Sequence, residues 1–263
     1  MATVHDILTY LETLAPRSMK MDWDNVGLLC GSRKAEVTKI LVALDPFEGV
    51  CAEAAAWGAQ LIVTHHPLIF QALKSVTDET SIGRSIQLLC REGISAINAH
   101  TNLDCAPGGV NDRLAAALGL SETEVIDPMG VDADGKEWGL LRKGVVAEQP
   151  LADFLPAVRS ALGCEGLRYV DGGKPVRKVA VGGGACASEL MDAYLAGCDT
   201  FVTSDVKYNQ FWDAKDLGMN LIDAGHFYTE NPVTACLAEI IAANFPEVEV
   251  KISETHRDCM KFY

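Results

Sequence analysis

Four of the six histidines stand where an α/β chain places its chemistry. His65 and His66 directly follow the apolar run Leu61-Ile-Val-Thr64, His100 closely follows Ile94-Ser-Ala-Ile-Asn98, and His226 follows the strand-like Leu221-Ile-Asp-Ala224. In open α/β sheets the carboxyl ends of the strands are where sites are built, so these imidazoles are expected to approach one another. Carboxylates sit four residues after two of them, in His100-Thr-Asn-Leu-Asp104 and His226-Phe-Tyr-Thr-Glu230. On a helical turn an i, i+4 pair faces the same way, so one short element can supply two ligands to one centre. The doublet, in a loop closed by Pro67, is able to serve two neighbouring ions. Imidazole plus carboxylate without thiolate suits Zn, Mn, Fe or Co, and a bridging carboxylate is common where two ions sit about 3.5–4 Å apart. His5 and His256 lack this placement and are read as ordinary structural histidines.

The elements that must carry these residues are legible in outline. Thr3-Val-His-Asp6 fits a capping box, and Ile7, Leu8, Leu11 and Leu14 fall on one helical face until Pro16. The run 40–44 reads as a buried strand and 49–57 as a helix closed by Gly58. A second strand covers 61–64, a helix 82–91 ends at Gly93, and a third strand covers 94–98. Alternation of this kind predicts βαβ units on a largely parallel sheet. The pattern returns in the second half, with a strand at 179–181, a helix over 187–196 and a strand at 200–203. A shift of 139 positions sets Ile40 on Val179, Gly58 on Gly197 and Thr64 on Thr203 without gaps. The Gly-, Asp- and Pro-containing passage 121–135 reads as a connection, followed by a strand over 139–147, a helix over 151–162 and a strand near 167–170. The expected architecture is α/β with two related lobes built from βαβ units, 1–125 and 126–263, and the metal site at the interface between them.

Composition narrows the function classes. The chain has 263 residues, 49% of them hydrophobic and 22% charged, which is ordinary for a folded globular protein. A formal charge of −14 repels phosphate backbones and anionic lipid, which argues against nucleic acid as a partner. No run approaches the eighteen apolar residues of a membrane span, and the N-terminus lacks a signal-peptide pattern, so a cytoplasmic protein is expected. The nine cysteines are odd in number and never spaced C-x-x-C, which fits buried thiols and neither a disulfide framework nor a thiolate zinc knuckle.

Three further signals are weaker. Gly182-Gly-Gly-Ala-Cys-Ala187 formally fits a dinucleotide-binding turn, with Asp205 about twenty residues on, but a tight βα turn explains the glycines as well. Lys207 and Tyr208 follow the run 200–203; the lysine suits an anionic substrate and the tyrosine proton donation, and both equally suit an exposed face. Asp24 and Asn25 either order a loop over the site or form a plain turn.

The segments Trp23-Asp-Asn-Val-Gly-Leu28, Thr64-His-His-Pro-Leu-Ile-Phe70, Asn98-Ala-His-Thr-Asn-Leu-Asp104 and Asp223-Ala-Gly-His-Phe-Tyr-Thr-Glu230 together resemble the Nif-three-like dinuclear-metal family, widely labelled GTP cyclohydrolase 1 type 2. The resemblance runs over essentially the whole chain. It implies a two-lobed subunit, two divalent metals between the lobes and a toroidal homohexamer. It also implies His65, His66, Asp104, His226 and Glu230 as ligands, Glu230 as bridge, and His100 as an acid/base or supporting group. The chain departs from the family pattern at Ser204, where Gly is common, and at Asn209, where His is common.

Two functions follow as expectations. One is a metal-dependent hydrolase in which His100 or Tyr208 moves protons and Lys207 holds an anion, with a purine nucleotide or related small phosphorylated molecule as substrate. The other is a non-enzymatic oligomeric protein that stores, delivers or senses metal. An oxidoreductase rests only on the glycine turn.

Overall fold

Thr3 caps the first helix, Val4–Leu14, as its spacing from Asp6 predicts. In this computed structural model, which describes residues 1–263, the Thr3 hydroxyl accepts from the Asp6 amide at 3.3 Å and the Asp6 carboxylate accepts from the Thr3 amide at 2.9 Å. Ile7, Leu8 and Leu11 are buried on the face that the periodicity marks.

Met1–Leu103 and Val233–Arg257 form one unit. Its sheet runs in the order Gly27–Cys30, Ser95–Asn98, Leu61–Thr64, Lys39–Ala43, Glu249–Ile252. All neighbours are parallel except Gly27–Cys30, which lies antiparallel to Ser95–Asn98. The Leu61–Thr64 and Ser95–Asn98 strands are buried along their whole length, the burial a strand shows when both faces are covered. Val50, Cys51 and Ala54 of the Glu48–Trp57 helix and Ile86 and Leu89 of the Ser81–Glu92 helix pack with Leu41, Ile62 and Ala96.

Asp104–Pro232 and Asp258–Tyr263 form the other unit. Its six-stranded sheet runs in the order Ser121–Ile126, Leu141–Gln149, Val176–Val181, Thr200–Thr203, Asn220–Asp223, Arg168–Val170. Only the pairs formed among Val176–Val181, Thr200–Thr203 and Asn220–Asp223 are parallel; the flanking strands are antiparallel, so this sheet is mixed where alternation predicts a largely parallel one. The 139-residue shift is preserved in the register: Ile40 opposes Leu61 as Val179 opposes Thr200.

Neither unit is a continuous stretch: the first resumes at Val233 and the second at Asp258. The passage 121–135 is not a plain connection. Ser121–Ile126 pairs with Leu141–Gln149, and Gly130–Val131 forms a small hairpin with Glu137–Trp138. The chain then returns to the first unit through the helix Pro232–Asn244 and the strand Glu249–Ile252. The helix expected over 187–196 is split into a 3-10 turn, Cys186–Glu189, and a helix, Leu190–Leu195. No helix is long and apolar enough to cross a membrane.

Candidate metal site

In the first unit, strand ends deliver His65 and His66 after Thr64 and His100 after Asn98. Ring centroids lie 4.9 Å apart for His65 and His66, 5.2 Å for His65 and His100, and 5.5 Å for His66 and His100. One ligand nitrogen from each falls within 4.8 Å of the others, a group able to hold a metal ion. His65 is fully buried.

In the second unit the short helix His226–Glu230 begins directly after Gly225. The i, i+4 spacing brings His226 Nε2 to 3.0 Å from Glu230 Oε2. Asp104 and Glu230 are both buried, and both charges reach the Cys186 thiol. Burial first, and then these carboxylates, push that thiol well above its ordinary value.

Each of the four histidines has Nδ1 on an oxygen. His65 Nδ1 lies 2.8 Å from the Ala99 carbonyl, His66 Nδ1 2.7 Å from Asp45, His100 Nδ1 2.8 Å from Asp24 and His226 Nδ1 2.8 Å from Asp205. An oxygen partner on Nδ1 fixes the tautomer with its proton there, which makes Nε2 the nitrogen that would bind a metal. The donor chemistry therefore fits a divalent ion: carboxylate oxygen beside imidazole Nε2, each imidazole oriented by an outer partner.

Two of these partners arise by one rule. Asp45 and His66 are 21 positions apart, as are Asp205 and His226. In each case the carboxylate follows one parallel strand and the histidine follows its neighbour, one strand–helix–strand unit later. Thr203-Ser204-Asp205 occupies the positions that the 139-residue shift sets against Thr64-His65-His66. The second unit thus has a carboxylate where the first has a histidine.

Charge and packing hold these groups. Hydrogen bonds from His100 and from the Thr101 amide and hydroxyl keep Asp24 ionised, well below the usual carboxylate range, against the burial that opposes it. The Asn25 amide group donates to the Ile69 carbonyl at 2.7 Å, and Asn98 donates to the Asn25 carbonyl at 3.1 Å. The Trp-Asp-Asn segment therefore orders the loops beside His100. Burial also opposes charge on His226, but hydrogen bonds to Asp205 and Glu230 push it up to about 10.

The glycine turn has a structural use. The amides of Gly182, Gly183 and Gly184 donate to the Val202 carbonyl, Asn111 Oδ1 and Thr229 Oγ1, so they are engaged within the protein and are not arranged as a pyrophosphate cradle. Ser204 is accounted for too: its buried hydroxyl donates to the Gly184 carbonyl at 2.6 Å. Asn209 is exposed near the start of the helix Tyr208–Asp216, as are Lys207 and Tyr208, the latter 79% exposed. The sequence pattern does not mark Asp45, and it marks Asp205 only beside the glycine turn; the signal for both is an acidic residue at the end of the preceding parallel strand.

The sequence matches the model of the family described as Duf34/NIF3 (NGG1p interacting factor 3) over residues 2–259. The chain belongs to the Duf34/NIF3 family. A relative from Clostridium perfringens, named GTP cyclohydrolase 1 type 2 homolog, is 35% identical over 98% of this chain and 99% of its own length. A Helicobacter pylori protein named GTP cyclohydrolase 1 type 2 is 32% identical over 92% of each chain. The crystal structure of a Bacillus cereus protein related to NIF3 superposes with a TM-score of 0.91 at 28% identity, covering 100% of this chain and 99% of that one.

Proposed function

We propose that this chain is a divalent-metal-dependent hydrolase of the GTP cyclohydrolase 1 type 2 kind. His65, His66, Asp104, His226 and Glu230 would hold two metals. The reading is carried by the Nδ1–oxygen contacts of all four strand-end histidines, since a set of imidazoles oriented alike by outer acceptors is what metal binding needs and hydrophobic packing does not. The names of the relatives and the order of the motifs support the same assignment.

Divalent metals bound there would supply the Lewis acidity that a hydrolytic reaction needs. The protein's own part is positioning. His100, fixed through Nδ1 by buried Asp24, is placed to move a proton at Nε2. Trp23 and Phe70, 63% and 50% exposed, set ring edges near His100 with centroids 6.2 and 6.1 Å away, a surface suited to a planar apolar ring such as a purine. Lys207 holds the anionic part of the substrate and Tyr208 donates a proton in this reading. The protein works in the cytoplasm as a homohexamer.

Metal analysis of purified protein loaded with Mn or Zn, beside a screen of purine nucleotides and phosphoesters, tests this. About two metals per chain and turnover of a nucleotide are expected, with both lost in His226→Ala and Glu230→Ala. Fewer than one metal per chain sinks the reading; metal without turnover of any substrate makes the protein a metal-binding module. Sedimentation of the loaded protein checks the hexamer.

A further inference from the structure

We propose that His256, in the C-terminal segment, is a positioning residue for His66, acting through the Asp45 carboxylate that both rings share. One oxygen of Asp45 lies 2.7 Å from His66 Nδ1 and the other 2.8 Å from His256 Nε2. An ionised carboxylate only accepts, so both facing ring nitrogens carry hydrogen. His66 therefore has its proton on Nδ1 and its lone pair on Nε2. By occupying the second oxygen, His256 prevents the carboxylate from turning and fixes the direction of the first.

The surroundings of His256 are built to keep it there. The ring is 9% exposed and meets the edge of Phe47 at 5.8 Å. Glu53, on the Glu48–Trp57 helix, accepts from the Ser253 hydroxyl, the Glu254 amide, and the amide and hydroxyl of Thr255 at 2.6–3.2 Å. The Ser253 hydroxyl accepts in turn from the His256 amide at 3.1 Å. The strand that leads into this segment, Glu249–Ile252, is the parallel neighbour of Lys39–Ala43, the strand that leads into Asp45. His256 and Asp45 thus meet by the same rule of adjacent strand ends that joins Asp45 to His66, across 211 positions of sequence. A side chain that only plugged the C-terminus would need neither the shared carboxylate nor this four-bond clamp.

The inference rests on the metal reading for its consequence but not for its geometry, so the test uses two measurements. Nitrogen NMR of the metal-free protein at pH 8 reports the His66 tautomer, and titration with Zn2+ reports affinity. His256→Phe keeps the ring volume and removes the donor; His256→Gln restores an N–H donor. The expected result for His256→Phe is a mixed His66 tautomer and a 10- to 100-fold loss of Zn2+ affinity, the range for outer-partner mutations. His256→Gln is expected to stay within threefold of wild type with His66 protonated on Nδ1. If His256→Phe fails to fold, His256→Asn, whose shorter amide falls short of Asp45, takes its place with the same expectation. A wild-type tautomer and a Zn2+ affinity within threefold in the donor-lacking variant overturn the proposal. If wild type binds no Zn2+, the metal reading fails and the tautomer comparison alone decides the role of His256.

Discussion

Gly184 and Glu230 approach so closely that a Cβ on the glycine would lie 2.0 Å from Glu230 Oε1 and 3.1 Å from His226 Nε2. The glycine also has a φ of +62°, where a Cβ costs about 1–2 kcal/mol. Gly184→Ala is expected to displace the Glu230 carboxylate and lower metal affinity at least about tenfold, well beyond the loss of stability. Calorimetric metal titration beside a thermal melt separates the two effects; unchanged affinity would show that Glu230 is not a ligand.

Asp205 holds His226 Nδ1 at 2.8 Å and is itself held below the usual carboxylate range chiefly by that hydrogen bond. Asp205→Ala removes one of the two groups that raise His226. The His226 pKa, followed by NMR in the metal-free protein, should fall from about 10, and metal affinity should drop about 10–100-fold.

The same histidine gives the metal-free protein a pH signature. Its folded value, about 10, stands above the ordinary 6.5, so its contribution to stability is fully present below pH 6.5 and is lost as pH rises toward 10. Melting temperature of the metal-free protein should decline across that window, and Glu230→Gln should flatten the decline. Since a metal takes the place of the Nε2 proton, loading near pH 8 should release a proton, measurable with an indicator dye. A decline confined below pH 6 would contradict this assignment.

Arg142 is 2% exposed; it donates to the carbonyls of Cys105, Ala106 and Gly139 and pairs with Asp112 at 2.6 Å. It thereby pins the residues that follow Asp104. Arg142→Met leaves several carbonyls without a donor and should cost about 3 kcal/mol in chemical denaturation.

Much of the parallel framework was legible because its strands are short apolar runs ended by glycine or proline. The 61–64 strand and the Gly58 and Gly93 helix stops are found where the sequence places them. Three strands of the two larger sheets were not legible, each for a physical reason. Gly27–Cys30 is four residues long and broken by a register shift. Ser121–Ile126 carries four exposed residues and shows no alternation. Glu249–Ile252 has a pairing partner some 200 positions away. At the site, strand ends revealed the histidines, because imidazoles are rare and their positions are distinctive. Their partners were hidden, because an aspartate after a strand reads as an ordinary stop until the neighbouring strand is known. His256 was hidden most completely, since its contact with Asp45 exists only after the chain has crossed back to the first sheet.

That crossing also has a consequence for synthesis. The edge of the first sheet beside Lys39–Ala43 is covered by Glu249–Ile252, which leaves the ribosome long after the other four strands. Until then the nascent chain presents a buried-type strand edge, open to pairing with a neighbouring chain. Nonsense or frameshift products ending between 110 and 245 should therefore be aggregation-prone in proportion to their translation, and a chaperone that occupies strand edges would act on this protein during elongation.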